Sequence, residues 1–375
     1  MKALVFVFLL LSLSYGLNRE RINSQALSQI DFMVRLENFP QRIPSTKLLE
    51  WIYFDWPPKE DWLIDGKSIS DYKNAIELNF NKEGLSPEVQ VSYGWTIRRT
   101  NMRMYPTSKT IHAKGKDLDY NQYTLLEPFT MLAILHQSKD GQWLYVHAPY
   151  MRGWVASKDV RQSTKEELIK LSSMPKAVVK VKSINVDGIT FGLGSKLPIV
   201  QSSKSEILVM LPNGNLKSLP RSLLAEGFED FSEEKAREIL ESMLGTPYDW
   251  GGKNGRWDCS SLVQSLYWVF GLELPRNSSQ QAKVGRVIAT KFSSYEEMKS
   301  VLEKSPPFRT LLFMKGHVMI FGGLENKEPV LYHSVGSLRY DDGTLIRAGA
   351  IVKNRLETER LTNIYRKIIS VNILE

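Results

Sequence analysis

The chain has 375 residues, 42% hydrophobic, 24% charged and 10% aromatic, a composition that excludes disordered, collagen-like and disulfide-scaffold classes and indicates two to four folded domains. Its formal charge of +8 is a mild excess that a solvated basic surface accounts for; no basic stripe with interleaved aromatics points to nucleic acid. Cys259 is the only cysteine, so no internal disulfide can form; in an oxidising compartment it must be buried and inert, paired between chains, or kept free for reaction.

Residues 1–16, MKALVFVFLLLSLSYG, place Lys2 ahead of an apolar run that ends in small residues, the pattern of a signal peptide. Export to a periplasm or the extracellular space is expected, with no integral membrane segment after its removal. Residues 17–90 read as a helical N-terminal segment around DFMVRLENFP and KLLEWIYFDWP, where Trp51, Trp56 and Trp62 suit a small core better than a sugar-stacking platform. Residues 91–160 change to short alternating runs, with Lys139-Asp140-Gly141 between MLAILHQS and QWLYVHAP as a hairpin turn. Residues 161–225 repeat this grammar with Asp187-Gly188 and Asn213-Gly214, so two consecutive small β-barrels are expected. Residues 226–375 are mixed: a helix capped by Ser232, a Gly-rich turn YDWGGKNGRWD, a second helix starting at Cys259, then strands in LLFMKGHVMIFGG and EPVLYHSVGSL.

A cysteine at a helix N-terminus meets unpaired N–H groups and the positive end of the helix dipole, so a thiol titrating below its free value of about 8.5 is expected at Cys259. A lone cysteine is more often a small buried hydrophobe, but the Gly-rich approach and the polar flank DCSS favour a nucleophile. A thiolate needs an imidazole and the imidazole an orienting group. His112, His136 and His147 fall in the first barrel region and read as satisfied strand residues, whereas His317 and His333 head downstream strands that could lie against the helix. No metal site is expected, because these ligands lack short paired spacing and a fourth is not evident.

YDWGGKNGRWDCSSLVQ, LPRNSSQQ, GHVMIFGG and LYHS resemble, in order and spacing, the NlpC-type cell-wall cysteine peptidases, and RRTNMRMYPT with SKDGQWLYV resembles the bacterial SH3-like modules that precede such domains in γ-D-glutamyl-L-diamino acid endopeptidases. The resemblance implies an α+β protein: a papain-like C-terminal domain behind two small SH3-like barrels and the helical N-terminal segment. It implies Cys259 as nucleophile, His317 as general base and then acid, and His333 as the residue holding the imidazole. It further implies Tyr248 beside the cysteine in oxyanion stabilisation, and Asp258 with Ser260 gripping the free amine of an N-terminal L-alanine. The substrate class implied is peptidoglycan stem peptides, with no cofactor, and the protein is expected to be a monomer. Tyr120, Tyr123 and Glu127 are barrel candidates for restricting the cleft. One departure is PPFRTLLFMKGHV, which lacks the Gly-Asp pair usual before the histidine strand and leaves the turn there open. Two other readings fit the same sequence: a non-catalytic envelope-binding protein, and acyl transfer through the same thioester chemistry.

Overall fold

The computed structural model describes residues 17–375, and the expected signal peptide lies outside the described residues. The first elements are three α-helices, Arg19–Gln29, Ser45–Ile52 and Lys73–Asn79, interleaved with short strands. One of these, Trp62–Ile64, pairs with Ile111–Ala113, and another, Arg42–Pro44, with Glu88–Gln90. Trp56 meets Phe80 and Tyr105 edge to face, so the tryptophan-rich stretch builds a core.

A seven-stranded antiparallel sheet follows, in the order Val160–Ser163, Ser92–Thr96, Met131–Gln137, Trp143–Ala148, Met151–Ala156, Thr100–Arg103, Gln122–Leu126. The Asp140-Gly141 turn joins its two central strands, with Gly141 at φ 70°. Residues 176–226 form a five-stranded sheet with its own apolar cluster around Phe191, Leu197 and Val209, plus the Ser183–Val186/Ile189–Gly192 hairpin turning at Asp187-Gly188, both left-handed.

In the C-terminal part the helix Cys259–Val269 lies against a six-stranded antiparallel sheet ordered Arg286–Ala289, Ile368–Ile373, Thr310–Met314, His317–Glu325, Glu328–Arg339, Leu345–Arg355. Nearly every residue of that helix is buried, including Gln264 and Ser265. A helix buried on all sides cannot be an amphipathic surface helix. Leu262, Val263 and Leu266 pack in one cluster with Val318, Ile320 and Tyr332 of the sheet, with Met102 and Leu126 of the seven-stranded sheet, and with Ile22 and Ala26 of the first helix. The first helix is tied down further by Asn23, which donates to the Gly271 carbonyl (3.0 Å) and accepts from the Glu273 N–H (2.7 Å). The N-terminal helix and the SH3-like sheet therefore share the core that supports Cys259.

Candidate active site

The loop before the cysteine helix takes left-handed backbone at Gly251, Gly252, Asn254 and Gly255. Gly251 is the position that admits nothing larger: a Cβ there would stand 2.4 Å from Gln122 Cγ and 2.9 Å from the Gln122 carbonyl. Gln122 Nε2 donates to the Gly251 carbonyl (3.3 Å), and Lys253 reaches across to Asp119 (2.6 Å), itself buried against Arg103 (2.8 Å). The loop that delivers the cysteine is thus pinned to the strand Gln122–Leu126 and the turn before it.

Asp258 starts the helix through a reciprocal capping box, its Oδ1 accepting from the Ser261 N–H (2.8 Å) while Ser261 Oγ accepts from the Asp258 N–H (2.9 Å). The same carboxylate accepts from the Gly251 N–H (3.0 Å), from Ser260 Oγ (3.3 Å) and, at both oxygens, from Arg276 (3.1 and 2.5 Å). Arg276 is 2% exposed and also donates to Ser260 Oγ (2.9 Å) and, across the domain junction, to Thr124 Oγ1 (2.7 Å). Burial alone would raise the Asp258 pKa, but the Arg276 charge and its hydrogen bonds outweigh it and hold the carboxyl below the usual range. An amine held at Asp258 and Ser260 would share that carboxylate with Arg276. A carboxylate offers about four lone-pair sites, and here Arg276, the Gly251 N–H and the start of its own helix engage them.

Cys259 is 8% exposed. Burial first, and the neighbouring Asp258 carboxylate second, push its thiol up to about 12, although the Val318 and Ser260 N–H groups and Arg276 pull the other way. The helix terminus expected to lower the thiol is present, but desolvation and the adjacent carboxylate push the other way. Val318 directly follows His317, so its N–H at the sulfur brings the head of the His317 strand to Cys259.

His317 Nε2 meets His333 Nδ1 at 2.7 Å, with the rings 5.0 Å apart at 63°. His333 Nε2 meets Asn354 Oδ1 at 2.7 Å, and Asn354 Nδ2 donates to Glu359 (2.6 Å). Burial drives the His317 pKa well below 6.5, with His333 adding to the effect, and burial lowers His333 to about 4. Burial thus disfavours the charged forms of the thiol and of both imidazoles. Half-buried Tyr248 is bridged to Trp257, and burial, then the charges of Asp258 and Cys259, raise its pKa, so its hydroxyl keeps its proton.

The remaining predicted residues lie elsewhere. Glu127 is fully engaged, accepting from Arg99 (3.0 Å), the Gly192 N–H (2.8 Å) and Ser195 Oγ (2.9 Å), and so ties the seven-stranded sheet to the next. Tyr123 donates to Asp55. Tyr120 stacks on Trp62 (5.6 Å, 8°) and meets Trp250 edge to face (5.7 Å, 65°) at the domain junction. His136 and His147 bond backbone carbonyls. Among the described residues, no group of three or more His, Cys, Asp or Glu is placed to hold a metal ion. Sequence reasoning missed Arg276, although it stands in the LPR motif, and it missed Asn354 and Glu359, which carry no local signal.

A cysteine at the head of a buried helix, flanked by a histidine pair on an antiparallel sheet and preceded by a small β-domain, defines a papain-like cysteine hydrolase with an SH3-like module. Residues 245–365 match the NlpC/P60 family model and residues 107–156 the SH3 domain (SH3b1 type), so the chain joins an NlpC/P60 domain to an SH3-like one. It is 25% identical over 146 residues to the γ-D-glutamyl-L-lysine dipeptidyl-peptidase of Bacillus cereus, spanning 36% of this chain and 44% of that protein. It is 33% identical over 79 residues to the protein of that name from Bacillus subtilis, 18% of this chain and 27% of that one. The chain thus spans less than half the length of these curated relatives. Among solved structures, an NlpC/P60 endopeptidase from Photobacterium damselae subsp. piscicida aligns with TM-score 0.73 and 18% identity over 95% of this chain and 92% of that one. An NlpC/P60 family protein from Bacillus cereus aligns with TM-score 0.56 and 16% identity over 75% and 99%. At these identities the likeness is one of fold.

Proposed function

We propose that the protein is an exported cysteine endopeptidase that hydrolyses the γ-D-glutamyl to L-diamino acid amide of peptidoglycan stem peptides with a free N-terminal L-alanine. Cys259 Sγ attacks the carbonyl carbon as His317 takes the thiol proton; the tetrahedral oxyanion collapses to a thioester as His317 returns the proton to the leaving amine. Water activated by His317 then releases the acid and restores the thiol. The observation that carries the reading is the continuous relay from His317 through His333 to Asn354, beside a strand whose Val318 N–H faces the Cys259 sulfur. Burial disfavours a thiolate–imidazolium pair at rest, so in this reading the proton moves as substrate binds. Tyr248 is the candidate oxyanion donor.

The free-amine requirement is supported by the names of the curated relatives, since a dipeptidyl-peptidase releases an N-terminal dipeptide. Asp258 and Ser260, at the head of the cysteine helix, are the candidates for holding that amine, with Arg276 fixing the carboxylate. The test is to incubate the purified chain with L-Ala-γ-D-Glu-L-Lys and with its N-acetyl form and follow release of lysine. Cleavage of the free form alone is expected; equal cleavage removes the amine requirement, and no cleavage of either, nor of the diaminopimelate counterparts, removes the peptidase reading. The 8% exposure of Cys259 favours a second reading, a non-catalytic envelope-binding protein. Retained binding to insoluble peptidoglycan without turnover would establish that one.

A further inference from the structure

The relay does not stop at His333. Asn354 is 4% exposed and sits on the strand Leu345–Arg355, where His333 is paired with Val352, so Asn354 lies one diagonal step from His333 on the same face. Its amide can turn two ways, and only its far partner decides which. That partner is Glu359, whose second oxygen accepts the Arg355 N–H (2.8 Å). A carboxylate accepts and cannot donate, so Asn354 must present Nδ2 to Glu359 and Oδ1 to His333. An amide oxygen likewise only accepts, so His333 must carry its proton on Nε2, which leaves Nδ1 as an acceptor. His317 then donates from Nε2 to His333 (2.7 Å), and the bare nitrogen of neutral His317 is Nδ1, the one outside the relay.

We propose that Glu359, acting through Asn354, is a positioning residue that sets the tautomer of both histidines and so leaves His317 Nδ1 free as the base for Cys259. The proposal rests on the peptidase reading for its kinetic consequence, though not for its structural content. Neither residue touches the reacting atoms. A wrong tautomer leaves geometry intact but presents an N–H to the thiol, where a base is needed.

The test uses the full chain with 15N-labelled histidine. In the wild-type protein, two-bond 15N–1H correlations should show His317 and His333 protonated at Nε2 and bare at Nδ1; an Nδ1 proton on either ring overturns the proposal. In Glu359→Gln the new amide can donate, so Asn354 is free to turn. His333 should then show both tautomers, and kcat on the tripeptide should fall about tenfold with KM within about twofold. In the double variant Asn354→Asp, Glu359→Gln, a carboxylate again accepts from His333 and the glutamine donates to it, so the single tautomer and kcat within about threefold of wild type should return. Unmixed tautomers with unchanged kcat in Glu359→Gln, or no recovery in the double variant, also overturn it. If the wild-type chain cleaves no stem peptide, the peptidase reading fails while the tautomer measurement still decides the relay.

Discussion

Arg276→Met removes the group on which the start of the cysteine helix depends. The guanidinium makes four hydrogen bonds, two to Asp258, one to Ser260 and one to Thr124 of the SH3-like sheet, and the side chains of Arg276 and Asp258 are 2% and 10% exposed. Methionine matches the apolar stem and deletes the charge, leaving a buried carboxylate beside Cys259 held only by Gly251, Ser260 and Ser261. Breaking one side of a buried ion pair costs about 3–5 kcal/mol. The assay is native-state hydrogen exchange of the helix amides, beginning with Leu262, which bonds to the Asp258 carbonyl (3.1 Å). It reads local opening and does not require a multidomain chain to unfold in one step. Exchange should accelerate by roughly two to three and a half orders of magnitude at pH 7.

The pH dependence separates this mechanism from lost packing. In the wild-type protein Asp258 titrates below its unfolded value of about 3.9, so its stabilisation is fully present above that pH and is lost only as pH falls through the lower folded value. In the variant, burial without Arg276 raises the pKa, so the penalty should shrink as pH falls from 7 to 5. Adding Asp258→Asn, which removes the stranded charge and keeps a capping side chain, should recover most of the loss. Exchange within about tenfold of wild type in the single variant, or no recovery in the double, would refute the reasoning.

Alkylation reads the state of the thiol. With Cys259 pushed up to about 12, its rate with iodoacetamide should rise about tenfold per pH unit from 7 to 9 without a plateau, and a plateau below pH 8 would mean that the thiolate is already formed at rest. Gly251→Ala should lower thermal stability by about 1–3 kcal/mol, since it combines φ 64° with a clash against the Gln122 backbone. Gly316→Ala has φ 73° but nothing within 4 Å, so only the strain of about 1–2 kcal/mol remains. The two melting curves should be ranked in that order. Free and N-acetylated tripeptide should differ as set out above.

What could be read from the sequence was what a short window carries. The helix at Cys259 followed from apolar spacing, and the hairpins followed from Asp140-Gly141 and Asp187-Gly188, because turn chemistry and periodicity are local. The burial that pushes the thiol up comes from outside such a window. A helix dipole is visible in a run of residues, whereas burial by Val318 from 59 positions away, and by an N-terminal helix further still, is not. The partner of Asp258 was equally invisible, because Arg276 is 18 residues downstream and the two meet only after the helix and the LPR segment fold together.

That same pairing changes what the SH3-like domain does. Thr124 accepts from the back of Arg276, Gln122 holds the Gly251 carbonyl, and Asp119 holds Lys253, so one edge of the β-domain touches every segment that fixes Cys259 except the histidine strands. A module that merely bound wall polymer would dock by its exposed face and leave these buried polar atoms to water. Here it braces the loop before Cys259, while the sheet carrying His317, His333 and Asn354 packs on the helix that follows. The sulfur sits buried where the two meet. Its surroundings therefore depend on how both halves are held.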